Sequence, residues 1–101
     1  MWHGVVLPDL RFSEYFEDHN HVHNVDETDV LDAVVGRRIL VSGPYRRHGK
    51  IRRRILAKTD SDYLTIICEP AKEFWWVISA FPSGENDVRR ARAASVGEEQ
   101  A

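Results

Sequence analysis

The stretch Ile51-Arg52-Arg53-Arg54-Ile55-Leu56-Ala57-Lys58, then Thr59-Asp60-Ser61-Asp62, then Tyr63-Leu64-Thr65-Ile66-Ile67-Cys68 decides the fold. Two β-compatible runs flank four turn-forming residues, which is the pattern of antiparallel neighbours. Side chains alternate across a strand. Ile51, Arg53, Ile55 and Ala57 therefore share one face, and Arg52, Arg54, Leu56 and Lys58 the other. The first set is the better core face, with Arg53 at its rim. The second carries three cations on one side of the sheet. A one-residue bulge in this strand would reverse the assignment.

Working outward, Phe74–Phe81 is a further strand, joined through Glu69–Glu73 around Pro70. Ile39–Ser42 is a short apolar stretch ended by Gly43-Pro44. Upstream, Ser13 is an N-cap candidate, and Phe12, Tyr15, Phe16 and His19 have helical spacing, so 13–20 reads as a helix. Asp26 caps a second, over 27–35, with Gly36 as its stop. Val5-Val6-Leu7 reads as a short strand halted by Pro8. Asn86 or Asp87 starts a last helix through Ala94. The expected fold is α+β: two N-terminal helices, a three- to four-stranded antiparallel sheet, then a C-terminal helix. Helices on one side of the sheet would leave an open basic surface on the other.

A chain of 101 residues and 11.7 kDa makes one small domain, here residues 1–96, with 97–101 as a frayed tail. Chemistry in so small a protein sits on an open face or a shared interface. No apolar run reaches the roughly 20 residues of a membrane span, and the N-terminus lacks a signal-peptide pattern. Cys68 is the single cysteine, which excludes an intramolecular disulfide and a Cys-rich zinc site. The expectation is a cytoplasmic protein without a cofactor. No Gly-rich phosphate loop, HExxH sequence or Ser-His-Asp spacing appears.

The net charge of −2 conceals segregation. Residues 1–32 carry eight acids and one base, residues 33–59 nine bases and no acid, and residues 60–101 eight acids and four bases. Seven of the fourteen Lys and Arg lie within 46–58: Arg46, Arg47, Lys50, Arg52, Arg53, Arg54 and Lys58. His48 adds to them when protonated. Such a block is a local positive field suited to a polyanion, most simply the phosphates of RNA or DNA. A solvated hairpin paired with the protein's own acids is the alternative.

With this layout the chain resembles the BrnT-like branch of the RelE superfamily of bacterial toxins, and a neighbouring family of small domains in that superfamily. The first half carries Phe12-Ser13-Glu14-Tyr15-Phe16 and His23-Asn24-Val25-Asp26-Glu27-Thr28-Asp29-Val30, followed by Ala33. The second carries Arg52, Leu56, Ala57, Thr59, Asp60, the strand Leu64–Cys68 and Val77-Ile78-Ser79-Ala80. The resemblance implies the toxin of a type II toxin–antitoxin pair: a metal-independent endoribonuclease, neutralised by a cognate antitoxin that covers its basic face. It implies Arg52 as the family's strand arginine and puts His23 where the neighbouring family has a basic residue, able to move a proton; Arg54 and Lys58, on the predicted face of Arg52, would clamp phosphate and complete the expected catalytic set. Arg46, Arg47, His48, Lys50, Arg53, Arg89 and Arg90 would bind RNA. The chain departs from the pattern after the Ser-Ala pair, where many BrnT-like chains carry Arg and this one has Phe81. That departure keeps open a non-catalytic module on the same fold, binding nucleic acid or an acidic protein. A homo-oligomer is also left open.

His19, His21 and His23 alternate near a helix end, where neither strand nor helix geometry for a metal is secure; the expectation is loop histidines and no metal. Alternation separates Trp75 from Phe74 and Trp76. One tryptophan then belongs to the core, and the other is exposed for a protein partner or a base. Arg89, Arg90 and Arg92 read as a charged helix face. Cys68 reads as a buried hydrophobe.

Overall fold

The computed structural model describes residues 2–3 and 7–99. The elements in chain order are β1 (Trp2–His3), β2 (Asp9–Phe12), α1 (Glu14–His23), α2 (Glu27–Val34), β3 (Leu40–Ser42), β4 (Tyr45–Arg47), β5 (Lys50–Lys58), β6 (Tyr63–Pro70), β7 (Phe74–Pro82) and α3 (Glu85–Ala93). The class is α+β, as expected. Val5 and Val6 of the anticipated first strand lie outside the described residues, as do Gln100 and Ala101.

The helix starts follow their caps. Ser13 Oγ accepts from the Phe16 N–H at 3.1 Å. Asp26 and Asp29 form a reciprocal capping box at the start of α2. The Thr59 hydroxyl accepts from the N–H groups of Ser61 and Asp62, closing the turn between β5 and β6. His48 and Gly49, both at positive φ, join β4 to β5 as a two-residue hairpin turn.

The sheet is larger than the sequence suggested. Its order is β1-β3-β5-β6-β7-β2, with β4 paired to β5 beside this path. All pairings are antiparallel except β2 with β7, which is parallel. The expected three or four strands thus become a six-stranded mixed sheet with a short additional strand. β2 was illegible because its four residues, Asp-Leu-Arg-Phe, are polar enough to read as a lead-in to α1. Ser13 N–H donates to the Val77 carbonyl at 3.1 Å, extending that pairing to the start of the helix.

The main core lies between α1, α2 and one face of the sheet. Phe16, Val30 and Ala33 meet Val41, Ile55, Ala57, Ile66, Cys68 and Val77 there, all buried. Burial pushes the Cys68 thiol up to about 12, so it is a packing group and no nucleophile.

The opposite face is not wholly open, which corrects the expectation of helices on one side only. Leu56 is fully buried there beneath Ala91 and Val96, so α3 and the turn after it cover that end of the sheet. The cause is in β5 itself: one leucine within a cationic row needs an apolar cover. The chain after α3 is tied down through Glu99: Gly97 N–H donates to the Arg38 carbonyl, and Arg38 N–H to that of Glu98.

Near that seam Arg37 Nη2 donates to Asp60 at 2.6 Å, with Asp32 at 3.9 Å. The Asp60 carboxyl is held below its ordinary 3.8, first by that hydrogen bond and then by the charge of Arg37. A folded value below the unfolded one stabilises the fold at higher pH. The contribution disappears as pH falls through the folded value. Denaturant midpoints should therefore separate wild type from Asp60→Asn at pH 7, and the gap should close below pH 3.8. A gap that stays constant into acid would contradict the pairing.

Candidate functional site: a basic concavity

On the α3 side of the sheet lies an open concavity of about 900 Å³. Its floor comes from the pairing register. Leu56 faces Thr65 and Thr65 faces Phe81 in one row; Arg54 faces Ile67 and Ile67 faces Ser79 in the next. Tyr45 pairs with Arg52 at the side nearest the β4–β5 turn. Arg47, His48, Lys50, Arg52 and Arg54 border the concavity on this flank, and Tyr15 borders it from α1.

A register shift between β6 and β7 shapes this floor. Ile67 pairs with Ser79 but Cys68 pairs with Val77, leaving Ile78 as an extra residue. Plain alternation from Trp75 and Val77 would carry Ser79 and Phe81 into the core. The bulge instead turns Ala80 inward and brings Ser79 and Phe81 to the concavity. The bulge anticipated as a risk for 51–58 thus occurs in β7. Nothing in the Val-Ile-Ser-Ala-Phe string marks it.

The concavity contains four permanent cations and two carboxylates, Glu69 and Asp87. Lys50 lies 3.6 Å from Glu69. Arg54 Nη1 lies 3.5 Å from Asp87 Oδ1, and its guanidinium stands 5.8 Å from the Tyr45 ring. The protein's own acids offset part of the positive charge, and an excess of two remains with the histidine neutral. Arg52 Nε is buried with no hydrogen-bond partner, a donor held dry on the wall.

The anticipated site residues divide accordingly. Arg47, His48, Lys50, Arg52 and Arg54 are brought together. Lys58 shares their face but is separated from them by covered Leu56. Its Nζ donates to the Thr59 carbonyl and stands 5.5 Å from the Tyr63 ring. Arg53 points to the other side, where Nε donates to the Ser42 carbonyl at 2.7 Å and the guanidinium lies over Trp75. Arg46 is exposed, with Nη1 3.4 Å from the Gly49 carbonyl. Arg89 is paired with Glu85 on exposed helix surface, whereas Arg90 reaches Asp87 at 3.2 Å. His23 lies with its ring 5.6 Å from Phe81.

Trp75 is half-buried against the core, and Trp76 is exposed, edge-on to Phe74 at 5.0 Å. The three histidines lie on α1, which runs to His23, and not in the expected loop; His19 stacks on Tyr15 at 4.1 Å, and the His21 side chain lies outside the described residues. Among the described residues, no three His, Cys, Asp or Glu side chains converge as metal ligands, and no helix is long and apolar enough to cross a membrane. Sequence reasoning missed Asp87 as a site residue, having read it only as a helix start. It also missed the aromatic contributions of Tyr15 and Tyr45. No family model, curated protein or solved structure matches the chain.

Proposed function

We propose that the protein binds RNA in the basic concavity and cleaves it, as an endoribonuclease of the RelE-like, BrnT-like toxin kind that its sequence resembles. The observation that carries this reading is the convergence of Arg47, Lys50, Arg52 and Arg54 on one concavity floored by Ile67 and Phe81. A site of several hundred Å³ takes a small ligand or one segment of a larger one. Cations on one flank suit phosphate, and an aromatic floor suits a base.

In the reaction the 2′-oxygen bonds to the adjacent phosphorus and the bond from phosphorus to the 5′-oxygen breaks. The products are a 2′,3′-cyclic phosphate and a 5′-hydroxyl. One proton leaves the 2′-hydroxyl for a base, and another reaches the departing oxygen. Arg52 and Arg54 stabilise the added charge on the phosphorane. His48 borders the concavity, and His23 stands beside Phe81 without being one of the bordering residues; both are imidazoles able to carry the protons. In this reading the protein works in the cytoplasm, and a cognate antitoxin silences it by covering the basic face.

A second reading, a non-catalytic binding module, is favoured by Phe81 in the cation's place and by Asp87, which offsets Arg54. The test is incubation of the purified chain with an end-labelled single-stranded RNA in a metal chelator. Cyclic-phosphate ends accumulating in proportion to protein support the ribonuclease. RNA bound but intact supports the module. RNA neither bound nor cut at low salt overturns the ribonuclease and the nucleic-acid form of the module, and leaves a module for an acidic protein.

A further inference from the structure

The carboxylate of Asp87 sits where a phosphate-binding site is least served by negative charge, and it is firmly held there. Its side chain is only 14% exposed, and Oδ1 faces both Arg54 Nη1 at 3.5 Å and Arg90 Nη1 at 3.2 Å. Oδ2 accepts from the Thr65 hydroxyl at 3.1 Å, and that hydroxyl meets Ser83 Oγ at 2.8 Å. Thr65 is 1% exposed on β6, so the carboxylate is aimed from beneath by a buried donor. Asp87 is also the third residue of α3, where an acidic side chain commonly turns back to close its own helix start. Gly84, the N-cap, offers no side chain to complete such a box, and Asp87 faces the sheet.

We propose that Asp87 is the positioning residue of the concavity, its carboxylate, itself anchored by Arg90 of α3, holding Arg54 of β5 toward a phosphate bound there. Like charges repel, and a carboxylate oxygen shared by the two guanidiniums offsets that repulsion while fixing where Arg54 Nη1 sits. The proposal rests on the RNA reading for its phosphate, though not for its geometry. It carries a distinctive consequence. The carboxylate repels RNA while it orients the cations, so its removal should move affinity and turnover in opposite directions.

Two variants test this with a short single-stranded RNA. Asp87→Asn should bind it about threefold more tightly at low salt, through the lost repulsion. Its cleavage rate at saturating RNA should fall by at least about tenfold, through lost orientation. Asp87→Glu keeps the charge but displaces it by one methylene, so affinity should hold and the rate should fall. Without RNA, the Arg54 Nε–H resonance in nitrogen-15 spectra should be distinct in the wild type and should shift in both variants. An unmoved Arg54 resonance, or an unchanged rate in both variants, overturns the proposal. So does a joint loss of affinity, rate and melting temperature in both, which marks a merely structural role. If the resonance shifts in both variants while the wild type neither binds nor cuts RNA, the positioning of Arg54 stands and the ribonuclease reading falls.

Discussion

Arg52→Ala combined with Arg54→Ala should weaken binding of single-stranded RNA by about a hundredfold at low salt. The figure follows from about 1.5 kcal/mol for each charge-assisted contact. Both side chains border the same concavity, so their losses converge on one ligand. The salt dependence should change with them. Each phosphate neutralised on a single strand contributes about 0.7 to the slope of log affinity against log salt, so the slope should drop by about 1.4. Arg89→Ala is the control. It removes one positive charge, half of what the double variant removes, and Arg89 is paired to Glu85 on exposed helix surface. Binding within about twofold of wild type is expected there, since an exposed ion pair away from the ligand contributes little. In cells, induced wild type should arrest growth with RNA breakdown, and the double variant should not. An Arg89→Ala loss half as large on the logarithmic scale as that of the double variant would mean that only overall charge matters, and the concavity would lose its claim.

Ile66→Ala should destabilise the fold by about 2–5 kcal/mol. Ile66 is fully buried on a central strand, opposite Ile55 on one side and Ala80 on the other. A domain of this size has about 5–15 kcal/mol in total, so the variant should lose a large share of it and melt roughly 10–25 °C lower. Leu31→Ala is the comparison, because Leu31 on α2 is 43% exposed. Its cost should be clearly smaller, on the order of 1 kcal/mol, since close to half of the residue is already in water and the site is open to solvent. Similar losses in thermal melts of the two variants would contradict the assigned core.

The contrast between Ile66 and Leu31 also shows how far the sequence could be read. Both are apolar residues in periodic segments, and periodicity identified their elements. α2 was legible from Asp26, the apolar stripe and Gly36, because caps and turns are local chemistry. The same holds for α1 and the β5–β6 turn; α3 was legible as a helix, but it starts from Gly84 rather than from Asn86 or Asp87. Arg52 and Arg54 were legible as one face because strand alternation has a fixed period. β2 was not, because four mixed residues carry little periodic signal and their parallel pairing with β7 joins segments more than sixty positions apart. Lys58 shows another limit. Alternation put it with Arg52 and Arg54, and it does share their face, but α3 packs on the intervening Leu56 and separates it from them. Arg53 was assigned to RNA by its charge alone. Its backbone acceptor at Ser42 and its position over Trp75 are features of β3 and β7, invisible from β5.

By itself the sequence determined the three helices, the longer strands, the caps of α1 and α2, the α+β class and a cationic strand face, because each depends on neighbours within a few residues. Tertiary structure decided the mixed six-stranded order, the bulge that turns Phe81 outward and the cover that α3 lays over Leu56. It also decided the meeting of Asp87 with Arg54 and Arg90. These depend on which distant segments pack together, and that is settled by burying apolar surface and satisfying buried polar groups across the whole chain at once.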